Sequence, residues 1–184
     1  MEQKVKEITL KTKREKMKTI IEVDKKYKGY RYLVVGCSMG HRCGYVRIPK
    51  SHKLYGLSYS EQLPIKLEEL RKEPIGKRGV ITLLCNSTLK SNDNISMDLL
   101  FNVHGGITFS GEFGKGVNKN GWWIGFDCAH FGDGKDESLM DEKTKLYSPS
   151  MLFAGDVVRL SPYVEKECKR LINQIIKWFG KKKK

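Results

Sequence analysis

The C-terminal segment constrains the fold more than any other part of the chain, because it encodes one long amphipathic helix. From Val164 to Phe179, apolar residues recur at spacings of three and four, which places them on one side of a helix. Ser161 is suited to the N-cap, Pro162 to the first helical position and Gly180 to the position just past the end. Such a helix must cover another apolar surface, which the preceding residues have to supply.

Short β-branched and aromatic runs upstream of this helix predict that surface to be a sheet. The predicted strands are Arg31–Val35, Cys43–Ile48, Val80–Cys85, Leu99–Val103, Ile107–Ser110 and Trp122–Asp127. Three leucines on one side predict a short helix over Glu61–Glu73, while the charged residues 131–150 are predicted to form a long loop. The expected fold is therefore α+β, with a mostly antiparallel sheet covered by the C-terminal helix and one shorter helix.

Positive charge is concentrated at the two ends of the chain. The 184 residues carry a formal net charge of +14, and residues 1–28 hold ten Lys/Arg against five Asp/Glu. Four lysines form the last four residues. We therefore expect a basic N-terminal extension at 1–28, a single domain at 29–180 and a basic tail at 181–184. Solvated ends are the simpler interpretation, and phosphate neutralisation on nucleic acid is the alternative.

No apolar run is long enough to span a membrane, and the N-terminus lacks the apolar core of a signal peptide. We therefore expect a cytoplasmic protein. Its cysteines are odd in number and widely spaced, which argues for free thiols and against a disulfide framework. They are Cys37, Cys43, Cys85, Cys128 and Cys168.

Two glycine-rich segments contain most of the residues whose side chains suit ligand binding or catalysis. The first is FNVHGGITFSG, residues 101–111. If its strands are regular, one face presents His104, Gly106, Thr108 and Ser110, with bare backbone at Gly105 and Gly106. Such a surface suits a small polar or phosphorylated ligand. The alternative is a tight glycine turn whose hydroxyls face solvent.

The second segment is GWWIGFDCAHFGDG, residues 121–134. Strand alternation predicts a core face formed by Trp122, Ile124, Phe126, Cys128 and His130, so the Cys128 thiol is expected to be packed. The opposite face carries Trp123, Gly125 and Asp127. The small residue between an aromatic ring and a carboxylate is expected to leave space for a ligand.

A third glycine-rich stretch, GCSMGHRCG at residues 36–44, follows a predicted strand. Its His41 and Arg42 are candidates to meet a phosphate, and a turn between adjacent strands is the alternative. Together the three segments predict a ligand site formed by His41, Arg42, His104, Gly105, Gly106, Thr108, Ser110, Trp123, Asp127, His130 and Asp133.

Metal and nucleophile chemistry are the alternatives for the same residues. A catalytic divalent ion could be held by His104, Asp127, His130 and Asp133, whose imidazoles and carboxylates suit water activation. A structural zinc site is disfavoured, because C-x3-H-x-C beside C-x-H matches no common zinc spacing; its ligands would be Cys37, His41, Cys43, Cys128 and His130. Thiolate–imidazole pairs at Cys43–His41 or Cys128–His130 are weaker alternatives than buried thiols. No other cofactor is expected.

Four segments give the chain a resemblance to a family of small phage- and prophage-encoded proteins. They are Gly40–Val46 (GHRCGYV), Pro49–Gly56, His104–Gly111 (HGGITFSG) and Gly125–Asp133 (GFDCAHFGD). The resemblance runs from about Arg31 to Ile176. It implies a phage-type origin in a bacterial host cell and brings no established activity with it.

Three functions follow as hypotheses. The first is a phage counter-defence protein that binds and sequesters an anionic small molecule, a nucleotide-derived immune signal of the host, without acting as an enzyme. The second is a metal-dependent hydrolase of a nucleotide or phosphorylated substrate. The third is a protein- or nucleic-acid-binding factor that works through its basic ends. A homo-oligomer is expected for a sequestering protein, because such sites often lie between subunits.

Overall fold

A five-stranded antiparallel sheet lies at the centre of this computed structural model, which describes residues 19–74, 90–113, 121–147 and 155–180. Its strands are β1 (Thr19–Tyr27), β2 (Tyr30–Cys37), β3 (Arg42–Ile48), β6 (Phe109–Glu112) and β7 (Trp122–Asp127). Their order is β1-β2-β3-β7-β6, and every neighbouring pair is antiparallel. The helix α4 (Ser161–Phe179) packs on β1, β2 and β3. The predicted α+β class is confirmed.

The remaining elements are short. They are β4 (Gln62–Lys66), α1 (Leu67–Arg71), β5 (Asn94–Ser96), α2 (Met97–Leu100), β8 (Asp133–Gly134), α3 (Glu142–Tyr147) and β9 (Val157–Val158). Strand β4 pairs antiparallel with β5, and β8 pairs parallel with β9. A 3₁₀ turn covers Glu137–Leu139. The stretch predicted as one long loop therefore contains several ordered elements.

Strand β1 lies inside the predicted N-terminal extension. It pairs along its length with β2, from Thr19 opposite Cys37 to Tyr27 opposite Tyr30. The connecting turn has positive φ at Lys28 and Gly29, which suits the tight turns that join antiparallel strands. Residues 19–27 thus belong to the sheet. Residues 1–18 and 181–184, and the predicted strand Val80–Cys85, lie outside the described residues.

Helix α4 confirms the predicted amphipathic segment, because its apolar stripe is buried on the sheet. The buried stripe consists of Val164, Cys168, Leu171, Ile172 and Ile175. Gly44 lets the helix approach, since a Cβ atom at that position would lie 2.8 Å from the Cys168 sulfur. The predicted N-cap is wrong by one residue, whereas the predicted end of the helix at Gly180 is confirmed. Leu160 occupies the N-cap, and the Ser161 hydroxyl donates to Glu22 at 2.6 Å. Gly180 directly follows the last helical residue, Phe179, and its ψ of 148° takes the backbone out of the helix.

The predicted helix Glu61–Glu73 is only partly correct, because its first half is strand β4. Leu63, Ile65 and Leu67 are buried while Gln62, Pro64 and Lys66 are exposed. That alternation has the period of a strand. Helical structure begins only at Leu67, so α1 is one short turn of the predicted element.

The predicted strands Leu99–Val103 and Ile107–Ser110 are also largely wrong. Residues 97–100 form α2, residues 101–108 are irregular, and strand structure begins at Phe109. Gly105 and Gly106 both have positive φ, at +64° and +89°, and Gly106 N–H donates to the Val103 carbonyl at 3.1 Å. The paired glycines form the tight turn that was the alternative interpretation of this segment.

The sheet has apolar contacts on both faces. The face toward α4 buries Ile124, Phe126 and Cys128, as predicted. On the other face, Trp123 is fully buried with Leu33 and Val35, and the rings of Tyr45, Phe109 and Phe113 pack against this cluster. The predicted space at Gly125 is filled, because the Tyr45 ring lies over that glycine. None of the helices in the described ranges has both the length and the apolar composition needed to cross a membrane.

Candidate functional site

Most of the residues singled out in the sequence lie in two groups, and Trp123 and Ser110 belong to neither. One group forms a closed ion network between the glycine turn, the loop after β7 and the start of α4. The other group gathers at one end of the sheet, around the turn between β2 and β3.

The closed network is built on His104 and Asp133. His104 Nε2 lies 2.7 Å from Asp133 Oδ2, and its Nδ1 lies 2.9 Å from the Tyr163 hydroxyl. Asp133 also accepts from Arg159 Nε at 2.9 Å and from the His130 backbone N–H at 3.0 Å. The side chain of Asp133 is only 2% exposed. Both imidazole nitrogens and both carboxylate oxygens are therefore engaged within the protein.

The surroundings of Asp133 favour its charged form. Burial by itself raises the pKa of this carboxyl, but hydrogen bonds from Arg159, His104 and the His130 backbone outweigh burial and lower the pKa below its ordinary value. The His104 backbone N–H donates to buried Glu167 of α4 at 3.0 Å, so the glycine turn is fixed to the helix as well. His104 and Asp133 therefore hold three segments together, and they do not converge with Asp127 and His130 as a metal-binding set.

Arg42 is also unavailable to an external phosphate. Its guanidinium donates to Glu22 from Nε at 2.7 Å and from Nη2 at 3.0 Å, and to Asp136 at 2.8 Å. The side chain is 7% exposed. Burial favours a lower pKa for Arg42, yet these carboxylates raise it above its ordinary value. The predicted phosphate contact at Arg42 is wrong, because two carboxylates surround the cation.

Three more predicted ligand residues lie apart from one another. Trp123 is fully buried, and the Ser110 hydroxyl accepts from the Tyr59 backbone N–H at 2.8 Å. The Thr108 hydroxyl instead donates to Asp127 Oδ2 at 2.7 Å. The segment around His104 therefore does not present its polar side chains on one face, because it turns at Gly105 and Gly106 before the strand begins.

The second group consists of Cys37, His41 and Cys43, which we call the thiol cluster. Cys37 ends β2, Cys43 lies near the start of β3, and His41 lies in the turn between them. The turn is closed by Cys37 N–H donating to the His41 carbonyl and by Gly40 N–H donating to the Cys37 carbonyl, both at 2.9 Å. The two sulfur atoms are 3.8 Å apart, and the ligand atoms of all three residues lie within 4.8 Å of one another.

Charge is shared within the thiol cluster in a way that favours a thiolate on Cys37. A hydrogen bond with Cys43 lowers the pKa of Cys37 to about 5 against the effect of burial, and His41 adds to this lowering. The same contact with Cys37, followed by burial, raises the pKa of Cys43. The hydrogen bond to Cys37 raises the pKa of His41. One thiolate, one thiol and an imidazole with increased proton affinity therefore lie together.

Asp127 lies next to this cluster. It is directly opposite Cys43 in the pairing of β3 with β7, so the two side chains leave the sheet on the same face. Its carboxylate accepts from Thr108 and from the Ala129 backbone N–H, and the side chain is 29% exposed. Asp127 is therefore an oriented, solvent-accessible carboxylate beside two sulfur atoms and an imidazole.

His130 adjoins Asp127, with its Nε2 3.5 Å from Asp127 Oδ1. No hydrogen-bond partner satisfies this buried Nε2 among the described residues. The imidazole packs against the backbone of Gly105 and lies 5.5 Å, between ring centres, from His104. His130 therefore lies between the closed network and the thiol cluster.

Two thiolates and an imidazole are ligands that Zn²⁺ prefers, and three protein ligands leave one tetrahedral position for another group. Cys128, the other predicted zinc ligand, is buried on the α4 face, where burial raises the pKa of its thiol to about 12. The prediction that Cys128 is a packed thiol is confirmed. A combined site with Cys37 and Cys43 is therefore wrong.

All three cluster residues were candidate zinc ligands from the sequence, but they were grouped there with Cys128 and His130. The available signal was strand alternation: Cys37 and Cys43 fall on one face of a short hairpin, whereas Cys128 falls on the opposite face. No protein-family model matches the chain, and no curated protein or solved structure is significantly similar to it. Membership of the phage family stays a prediction.

Proposed function

We propose that this protein is a zinc-dependent hydrolase whose metal is held by Cys37, His41 and Cys43. The observation that supports this proposal is the convergence of three ligand atoms within 4.8 Å at a solvent-accessible sheet end. A three-ligand site with one position left over is the arrangement of catalytic zinc centres, whereas structural centres are closed by four protein ligands.

In this proposal, the Asp127 carboxylate accepts the proton. When zinc is bound, it would lower the pKa of a coordinated water molecule. The Asp127 carboxylate is held by Thr108 and Ala129 on the same face as Cys43, which places a proton acceptor at the rim of the site. His130 lies next to Asp127, with its Nε2 3.5 Å from Asp127 Oδ1, and extends the polar rim of the site.

The charges at the site favour a neutral polar substrate. Two thiolates balance the charge of Zn²⁺, and Asp127 adds a negative charge beside them. A phosphorylated group would therefore meet net repulsion at this position, whereas a neutral amide or amidine would not. These charges favour hydrolysis of a carbon–nitrogen bond over hydrolysis of a nucleotide or phosphorylated substrate, which was the second hypothesis from the sequence.

The test combines metal content with turnover in matched variants. We expect one zinc per chain, visible spectra of thiolate coordination after replacement by Co²⁺, and turnover of neutral amide or amidine substrates that EDTA abolishes. Cys37→Ser should lose metal and turnover together, and Cys128→Ala should retain both.

Asp127→Asn separates the two roles available to this carboxylate. We expect it to keep the zinc and lose turnover, because the carboxylate acts on a proton and does not ligate the metal. Loss of the zinc itself would make Asp127 the fourth ligand of a structural centre and would refute the hydrolase. Zinc-bound protein that leaves every substrate unchanged would refute it as well.

A further inference from the structure

A second cleft lies at the opposite end of β2 and β3 from the thiol cluster. Its volume is about 370 Å³, and its lining includes Lys26, Arg31, Arg47, Lys50 and Tyr55. Arg47 follows Cys43 by four positions in β3, which corresponds to about 13 Å along a strand. The two sites are therefore separate and share no lining residue.

The lining of this basic cleft carries four cations and, among the described residues, no carboxylate. Within that part of the chain, Lys26, Arg47 and Lys50 form no ion pair. Arg31 is held by Asp24 through two parallel hydrogen bonds of 2.7 Å, which fix its guanidinium beside the cleft. A concave surface lined by one sign of charge raises the local concentration of the opposite ion.

The backbone maintains this arrangement against its electrostatic cost. Lys26 and Arg31 are directly opposite each other in the β1–β2 pairing, a position where like charges destabilise a sheet, and Asp24 offsets the charge of Arg31. Arg47 lies against Gly121, whose φ is +116° and where a Cβ atom would lie 2.7 Å from Arg47 Nε. Asp24 balances Arg31, whereas Lys26, Arg47 and Lys50 have no carboxylate partner among the described residues, which suggests a ligand that supplies negative charge.

We propose that the basic cleft binds a nucleoside diphosphate or a similar small molecule with a pyrophosphate group. Lys26, Arg47 and Lys50, the three cations without a carboxylate partner among the described residues, match two adjacent phosphates, to which Arg and Lys donate charge-assisted hydrogen bonds. Tyr55, whose ring lies 6.1 Å from that of Trp122, offers an aromatic wall for the base. The cavity volume falls in the range of small-molecule sites. An anionic ligand of the kind expected from the sequence thus binds here, away from the glycine turn.

A larger cavity, about 640 Å³, lies along α4 and does not fit the same ligand. Its lining mixes Glu73 and Glu167 with Lys169, Arg170 and Lys177. Glu73 is already paired with Lys177, and Glu167 with Arg170. Its carboxylates would repel phosphates, so the basic cleft is the better anion site.

Calorimetric titration of the full chain tests the proposal, with ADP, inorganic pyrophosphate, adenosine and a single-stranded oligonucleotide as probes. We expect ADP and pyrophosphate to bind one per chain and to compete, and adenosine not to bind. The double variant Arg47→Gln/Lys50→Gln should weaken ADP binding at least about tenfold, the loss expected for charge-assisted contacts. Lys66→Gln, which removes an exposed lysine of β4 outside the cleft, should leave the affinity within about twofold.

The unfolding midpoint of each variant verifies that the exposed substitutions leave the fold intact. Absence of ADP and pyrophosphate binding would overturn the proposal, as would equal weakening by Lys66→Gln. An oligonucleotide that binds more tightly than ADP, with an affinity that falls steeply as salt is raised, would make this face a nucleic-acid surface and would also overturn it. Gly121→Ala gives an independent check, since displacement of Arg47 should weaken ADP binding without removing a charge.

Discussion

The imidazole of His130 lies directly on the backbone of Gly105, so closely that any side chain at position 105 would overlap the ring. This contact joins the glycine turn to the loop that follows β7. His130 and the Gly105–Gly106 pair therefore have a packing role in the fold and do not form a ligand-binding face. The glycine provides the space, and the histidine fills it.

Gly105→Ala should therefore destabilise the protein through two effects. The alanine would adopt a φ of +64° and would displace the His130 ring. Left-handed backbone alone costs about 1–3 kcal/mol for such a residue, and the overlap adds to that cost. Gly132→Ala is the matched control, because its φ is +86° with nothing within 4 Å of the added Cβ. Urea unfolding measures both, and equal losses would contradict a role for the His130 contact.

Arg42→Met should destabilise the fold strongly. Its removal leaves Glu22 and Asp136 without their cation, and breaking a buried pair in this way costs about 3–5 kcal/mol. Arg31→Met is the control, because its pair with Asp24 is more exposed and is expected to be worth about 0–1 kcal/mol. Chemical denaturation at neutral pH compares the two. Similar losses for both variants would show that Arg42 is not a buried structural cation.

The Asp133 network predicts a defined dependence of stability on pH. Because the folded-state pKa of Asp133 is lowered, its contribution is fully present above the unfolded-state pKa of about 3.9 and is lost as pH falls toward the lower folded value. Asp133→Asn should therefore be less stable than the natural chain by about 3–5 kcal/mol near pH 7. The difference should shrink below about pH 4. A difference that stays constant down to pH 3 would contradict a charged Asp133 in the fold.

Zinc should stabilise the protein through the thiol cluster. A ligand present at a hundred times its dissociation constant adds about 2.7 kcal/mol to the free energy of unfolding. For a chain of this length, that corresponds to a rise in Tm of about 5–11 °C. Thermal unfolding with and without Zn²⁺ measures the rise, which His41→Ala should abolish. Because the packed Cys128 thiol takes no part, a reduced rise in Cys128→Ala would contradict the assignment of ligands.

Elements with long, regular patterns were predictable from the sequence. The apolar stripe of α4 and the aromatic run of β7 each satisfy one periodicity over their whole length, and both elements lie where they were expected. Short elements were not, because Leu63, Leu67 and Leu70 fit a helix while Leu63, Ile65 and Leu67 fit a strand. Pairing with β5 decides between them, and such pairing is not visible locally.

The candidate site was predictable in residue type but not in arrangement. Asp127, His41 and the cysteines of the thiol cluster were identified because their side chains suit metal binding or catalysis and lie within the glycine-rich segments. Their separation from Asp133 and Arg42 depends on partners that are distant in sequence, such as Glu22 for Arg42 and Arg159 for Asp133. A single sequence does not reveal which charges are neutralised inside the fold. In this fold, Asp133 binds His104, and Glu22 and Asp136 bind Arg42, so neither side chain is available to a ligand.

The contacts of Glu22 link elements that are synthesised early and late in the chain. This residue of the first described strand binds Arg42 of β3 and the Ser161 hydroxyl at the start of the last helix, 139 positions later. During synthesis the β1–β2–β3 meander can form early, because its contacts are local. The Glu22–Arg42 pair can be sealed from water only after α4 has left the ribosome. Until then, the nascent chain exposes the apolar face of its sheet, and exposed apolar surface of this kind favours aggregation.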